Sequence, residues 1–273
     1  MSTTQPKAVY ALYYGALACL VPYMTLYYQQ KGLNGFQIGI MASIIPLVTL
    51  ASSPFWSGIG DATHRHRAVL LLTIAGLWSS VLLLYLVSGF PAMLTAVVLY
   101  AVFIGPIAPL VDNAVMALLG ERRAEYGRVR VWGAFGWGGA ALILGPMLQR
   151  AGLAWAFYGF LFFMALCFIA ASRLPMAAST VRTAYRAGLG RLLKNGRFLL
   201  LLFVSLIYGL SLGTLLSYQF LFLSELGASR TLMSLTLTAA TLSEVPFWVL
   251  SGPLIARFGP NNLIAFGLLM GVR

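Results

Sequence analysis

Hydrophobic and polar positions along this chain separate into long blocks instead of mixing residue by residue. Apolar runs of about 20 residues recur, each long enough to cross ~30 Å of hydrocarbon at 1.5 Å per residue. They predict membrane-spanning helices near 8–28, 38–60, 68–88, 91–119, 129–149, 153–172, 198–222, 232–256 and from 262 onward. Polar residues collect in the short gaps between them. The first run is too long for the apolar core of a cleavable signal, and no small-residue cleavage site precedes Tyr27 and Tyr28. It is therefore expected to stay in the mature protein, and the fold class is an all-α membrane protein.

Composition narrows the function classes. Of 273 residues, 60% are hydrophobic and 9% charged, against roughly 25% charged in soluble proteins. So few charges cannot clothe soluble domains, which excludes an ordinary globular enzyme. Cys19 and Cys167 both lie within spans and form no disulfide framework. His64 and His66 sit in a turn among arginines, so neither a metal nor a cofactor is expected. The net charge of +12 would ordinarily raise nucleic acid as a partner, but its distribution is topological. Of the 18 basic residues, 14 fall on one side of the array, from Lys7 through the clusters at 122–130 and 173–197 to Arg257. Lys31, Arg150 and Arg230 fall on the other, and Arg273 lies inside a span. Positive residues stay inside, so the N-terminus is expected in the cytoplasm, with no nucleic acid bound.

A repeat suggests duplication. Pro54-Phe55-Trp56 recurs as Pro246-Phe247-Trp248, and Gly35 recurs as Gly227 at the same offset. The stretch from Arg173 to Arg197 is basic and free of acidic residues. It reads as a cytoplasmic linker, with Tyr185–Leu193 either lying on anionic lipid or simply solvated. The expected organisation is an N-terminal six-helix bundle (1–172), a linker (173–197) and a partial C-terminal bundle (198–273). A second six-helix half would extend beyond Arg273, so the chain is expected to be truncated in its ninth helix.

Charged residues within spans are costly and mark function. Positions 112 and 130 have their midpoint at 121, in the turn between two consecutive spans, so Asp112 and Arg130 should lie at equal depth. They can pair, for substrate or as a structural brace. Glu244 and Arg273 are related in the same way about the turn Arg257–Pro260. A carboxylate whose arginine moves would load and release a proton; a static pair is the alternative. Trp137 follows Arg130 by two helical turns and either stacks on a ring-bearing solute or packs. Gly133, Gly136, Gly138 and Gly139 leave room for close helix approach. Ser205, Tyr208, Ser211 and Thr214 form a polar stripe, and Tyr10, Tyr13, Tyr14 and Tyr23 cluster in the first span. Interhelical hydrogen bonding explains those hydroxyls equally well. Pro106 and Pro109 free backbone carbonyls halfway along the fourth span.

One block carries a family resemblance: Ala108-Pro109-Leu110-Val111-Asp112, Glu121-Arg122-Arg123, Tyr126-Gly127-Arg128-Val129-Arg130 and Gly133-Ala134-Phe135-Gly136-Trp137. It resembles the fourth and fifth helices of the lactose permease and phenylpropionate-type permeases of the major facilitator superfamily. The resemblance implies the major facilitator fold, with substrate contacts at Asp112, Arg130 and Trp137 and a place for Arg273 in the proton-coupling machinery; Glu244 is its expected partner on the depth argument alone, since the acid of lactose permease in that helix aligns about one turn earlier. Ser57-Gly58-Ile59-Gly60-Asp61, followed by Arg65 and Arg67, resembles the superfamily's gating loop; Ser57 and His64 stand where glycines are usual. The run Glu244-Val245-Pro246 is closer to the phenylpropionate-type branch.

The expected function is secondary active transport by alternating access, as proton-coupled symport of a small organic solute such as an aromatic acid, sugar or nucleoside. The protein would be a monomer in a bacterial inner membrane, its partners lipid, the solute and protons. No Walker-type loop supplies nucleotide energy, and no nucleophile–base pair or His-Glu-x-x-His motif supports an enzyme. Sodium coupling or efflux on the same fold is the near alternative. A receptor or assembly subunit is the distant one.

Overall fold

Nine apolar runs fold as helices, and no strand occurs among the residues described by the computed structural model, 3–176 and 194–271. Helix α1 (Thr4–Leu20) passes through one 3-10 turn, Val21–Tyr23, into α2 (Met24–Gln30). Pro22 sits in that turn, where a residue without an N–H does least harm. Helix α3 (Gly35–Thr63) begins at a reciprocal cap: Asn34 Oδ1 accepts from the Gln37 N–H at 2.9 Å, and Gln37 Oε1 accepts from the Asn34 N–H at 3.1 Å. Helix α4 spans His66–Leu86.

The fourth expected span is interrupted, although Gly105 and Pro106 keep right-handed helical torsions. It forms α5 (Phe90–Ile104) and α6 (Ile107–Leu119), separated at Gly105 and Pro106. A tight turn, Gly120–Glu125, then leads into α7 (Tyr126–Ala151), followed by α8 (Ala154–Ser172). Beyond come α9 (Gly196–Glu225), α10 (Arg230–Phe258) and α11 (Pro260–Gly271). Among the described residues seven helical runs are long and apolar enough to cross a membrane, one of them covering α5 through α7; α11 is a shorter apolar helix. The central section of the basic linker, 177–193, including its amphipathic stretch, lies outside the described residues.

Helix α1 is the hub. In its most apolar window 72% of residues are buried, against none in α9, so α1 is the central post and α9 presents its sides outward. Helices α7 and α8 flank α1, α4 packs between α5 and α8, and α3 lies on α5. The buried core includes Tyr10, Tyr28, Tyr100, Phe157 and Phe160. Two half-buried indoles find partners for their N–H groups: Trp56 Nε1 donates to the Val102 carbonyl at 3.0 Å, and Trp78 Nε1 to the Leu161 carbonyl at 3.1 Å.

Helix α10 runs antiparallel along α7 with small residues at the seam. A Cβ on Gly127 would strike the Trp248 carbonyl and Ser251 Oγ, one on Gly138 would press on Thr241 at 3.1 Å, and one on Gly145 would strike Ser234. At the far end Arg230 Nη1 donates to the Leu148 carbonyl at 2.7 Å, and the Arg230 backbone N–H donates to Gln149 Oε1 at 2.9 Å. Helix α9 meets the first span near that span's C-terminal end, where Tyr23 and Phe220 meet edge to face at 4.9 Å.

Candidate functional site

The charged residues predicted for substrate gather at the junction of α1, α6, α7 and α10. Asp112 stands seven residues from the end of α6, and Arg130 four residues into α7. These offsets correspond to roughly 10 and 6 Å along each axis. The expected similarity in depth holds approximately, with Arg130 near the start of α7 and Asp112 in the last third of the stretch covered by α5 and α6.

Their pairing does not. Among the described residues the ion pairs are Asp61–His66 and Arg122–Glu125, with none between Asp112 and Arg130. Asp112 Oδ1 instead accepts two tyrosine hydroxyls, from Tyr10 at 2.5 Å and Tyr126 at 3.0 Å. Equal depth says nothing about azimuth, and a hydroxyl from α1 takes up the carboxylate. Two donors converge on one acceptor, so this oxygen is well satisfied.

Arg130 faces aromatic rings. Its Cζ lies 4.0 Å from the Tyr14 ring centre, 5.0 Å from that of Trp248 and 5.2 Å from that of Tyr10. All three distances lie within cation–π range. No hydrogen bond or ion pair among the described residues takes up its guanidinium N–H groups. The side chain is half-buried, with up to five donors in a planar fork suited to paired oxygens. Tyr10 touches both charges, hydrogen-bonding Asp112 while its ring lies beside Arg130.

Trp137 is half-buried at the edge of the core, without a ring partner among the described residues. Glu244 lies exposed on α10, one turn before Trp248, and makes no ion pair among the described residues. Arg273, its expected counterpart, lies outside the described residues.

The predicted gating loop joins α3 to α4. Asp61 Oδ1 lies 3.6 Å from His66 Nε2. Arg65 immediately precedes α4 without a side-chain capping hydrogen bond, and Arg67 Nη2 donates to the Leu174 carbonyl beyond α8 at 2.9 Å. His64 adopts the left-handed backbone, φ 53°, a conformation that glycine takes most readily, which fits the usual glycine at this position. Two cavities lie elsewhere. One of about 390 Å³ is apolar and sits between α1, α7 and α8, with Cys19, Met147 and Phe163 in its walls; another of about 230 Å³ lies between α9 and α11 beside Ser205 and Tyr208. The second receives two members of the polar stripe. Neither is lined by Asp112 or Arg130.

Sequence reasoning named Tyr10, Tyr14, Tyr126 and Trp248 without assembling them. The signal for Trp248 was the repeated triplet, but the two copies act differently. Trp56 donates its N–H to a carbonyl, whereas Trp248 offers its ring to a cation.

Comparison with known proteins agrees with this architecture. Over 276 aligned residues the chain is 31% identical to the maltose permease of Geobacillus stearothermophilus, covering 97% of this chain and 68% of that protein. It is 26% identical to the uncharacterized transporter YwbF of Bacillus subtilis (strain 168), covering 94% of this chain and 65% of that one. The chain thus spans about two thirds of the length of these relatives. The crystal structure of the nucleoside transporter NupG superposes with a TM-score of 0.75 at 15% identity, over 95% of this chain and 69% of that one. That likeness establishes the major facilitator fold. These relatives are permeases and transporters, not enzymes. Residues 4–273 match the MFS_1 like family, and the chain belongs to that family within the major facilitator superfamily.

Proposed function

We propose that the protein is a secondary transporter that moves a small oxygen-rich organic solute in symport with protons by alternating access. The observation that carries this reading is Arg130, linked to Asp112 through Tyr10 and with its N–H donors uncommitted at a junction that includes α1, α7 and α10. A planar fork of donors suits vicinal hydroxyls or a carboxylate. Tyrosine rings nearby suit the apolar face of a sugar or base. Similarity to a maltose permease and a nucleoside transporter favours a sugar or nucleoside over an aromatic acid, so the lactose permease side of the resemblance is the better guide to substrate. Asp112, Arg130 and Trp137 are the proposed substrate contacts.

Glu244 is the proposed proton carrier, with Arg273 as the charge that tunes it. Its exposure one turn from Trp248 places a titratable group on the same face of α10 as the ring that meets Arg130. Asp61, Arg65 and Arg67 are the proposed gating loop. The division into 1–172, 173–197 and 198–273, a cytoplasmic N-terminus, a monomeric state and residence in the bacterial inner membrane belong to the same reading.

The test is uptake into proteoliposomes under an imposed pH gradient, with radiolabelled maltose, uridine and 3-phenylpropionate as probes. Gradient-dependent uptake of one probe is expected. Arg130→Lys should reduce it at least tenfold, because an ammonium cannot replace a bidentate fork. Glu244→Gln should abolish the response to the gradient while sparing solute binding. Full gradient-driven uptake by Glu244→Gln would remove Glu244 from the mechanism. Failure of all three probes in vesicles that hold a gradient would count against the transport reading.

A further inference from the structure

The Arg130 site draws one wall from a helix that the charge pattern did not connect to it. Trp248 rides on α10, more than a hundred residues from Arg130 in sequence, yet its ring centre lies 5.0 Å from the guanidinium carbon. Tyr14 of α1 lies at 4.0 Å. Two glycines, each three residues from Arg130 along α7, make this arrangement sterically possible. A Cβ at Gly133 would meet Arg130 Nη1 at 2.5 Å and Tyr14 Cδ2 at 2.8 Å, so glycine there lets the guanidinium fold back along its own helix toward the tyrosine. A Cβ at Gly127 would strike the Trp248 carbonyl, so glycine there lets the α10 backbone come close enough to deliver the indole.

We infer that Trp248 is a positioning residue for Arg130: with Tyr14 and Tyr10 it holds the guanidinium through its π-faces and leaves the N–H donors for an oxygen-bearing ligand. The inference rests on the reading that Arg130 meets the solute, and it adds a residue from another part of the chain to that site. Rings attract a cation without consuming its hydrogen-bond donors. A carboxylate partner would consume them, and Asp112 is occupied by two hydroxyls instead.

A physical coupling follows. Arg130 belongs to α7 and Trp248 to α10, so any displacement of α10 from α7 removes one ring from the guanidinium. The aim of Arg130, and with it the affinity for a ligand, then depends on how the two helices sit. Cation–π attractions of the usual strength correspond to a factor of about 2 to 30 in such an equilibrium.

The test needs no solute, so it stands apart from any failure to identify one. The protein in proteoliposomes is treated with phenylglyoxal, and modification of Arg130 is measured peptide by peptide relative to the exposed Arg128. A series of fluorinated tryptophans is introduced at position 248; fluorine weakens the cation–π attraction while nearly preserving ring size. The Arg130 rate is expected to rise stepwise with fluorine number, with Trp248→Leu highest, about 2- to 30-fold above the parent. Phe247→Ala, at the exposed neighbouring position, should leave the rate unchanged. A flat fluorotryptophan series would overturn the inference even if Trp248→Leu raised the rate, because a ring that merely fills space is insensitive to fluorine. Should Trp248→Leu fail to fold, the isosteric series still decides the question.

Discussion

Two glycines three residues apart on α7 should respond oppositely to the same substitution. A Cβ at Gly136 would collide with the Ala11 carbonyl oxygen, and would lie 2.6 Å from the Ala11 carbonyl carbon and 2.7 Å from its Cα. All three atoms are backbone, so no rotamer relieves the clash and α1 itself must withdraw. At Gly139 a Cβ meets nothing within 4 Å. Alanine gains about 1 kcal/mol of helix propensity over glycine at either site. Overpacking against an immovable neighbour costs about 3 kcal/mol, the upper end of its usual range. Gly136→Ala should therefore destabilise by about 2 kcal/mol net, and Gly139→Ala should stabilise by about 1 kcal/mol.

Native thiols supply the assay. Cys19 and Cys167 are 1% and 0% exposed, so a thiol-reactive dye fluoresces only as the helices part. At roughly 2–4 °C per kcal/mol, the Gly136→Ala transition should fall by about 4–8 °C and that of Gly139→Ala should rise by about 2–4 °C. Coincident melting of the two variants would refute the steric argument. So would a Gly136→Ala protein at least as stable as the parent.

Two further expectations concern local structure. Asn34→Ala removes the reciprocal cap with Gln37 and should cost about 1 kcal/mol, visible as faster hydrogen exchange in the first turn of α3; unchanged exchange there would show that the cap is dispensable. Trp78→Phe leaves the Leu161 carbonyl without its indole donor and should cost about 1 kcal/mol, lowering the thiol-dye transition by about 2–4 °C. A parental transition would mean that another donor takes up that carbonyl.

Hydropathy located the helices because a membrane span imposes a length on every apolar run. The run predicted at 38–60 is α3 at Gly35–Thr63, and that at 232–256 is α10 at Arg230–Phe258. Local breaks were legible in part. Pro106 and Pro109 were expected to kink the fourth span or to free a carbonyl for a ligand, and the helix is interrupted at Gly105 and Pro106, between α5 and α6. The charge pairing was legible in depth and not in direction. Reflection about a turn gives the height of Asp112 and Arg130, but their neighbours come from distant parts of the chain: Tyr10 from α1, Trp248 from α10. A single sequence carries no distance information across such separations.

The glycines of α7 make the same point more sharply. Read in sequence, Gly133, Gly136, Gly138 and Gly139 formed one patch permitting close helix approach. In three dimensions the patch divides. Gly133 and Gly136 accommodate Tyr14 and Ala11 of α1, Gly138 accommodates Thr241 of α10, and a Cβ on Gly139 would meet no one. Gly127, Gly138 and Gly145 recur at spacings of eleven and seven residues, near three and two full turns, and all three meet α10. Helical periodicity therefore sorts these glycines into a stripe for α10 and a neighbouring stripe for α1, with Arg130 between residues of both. The same absence of Cβ atoms that brings three helices together also clears the space in which the guanidinium lies. Packing and the candidate site are thus one feature of α7, and a substitution that widens either seam should be felt at Arg130.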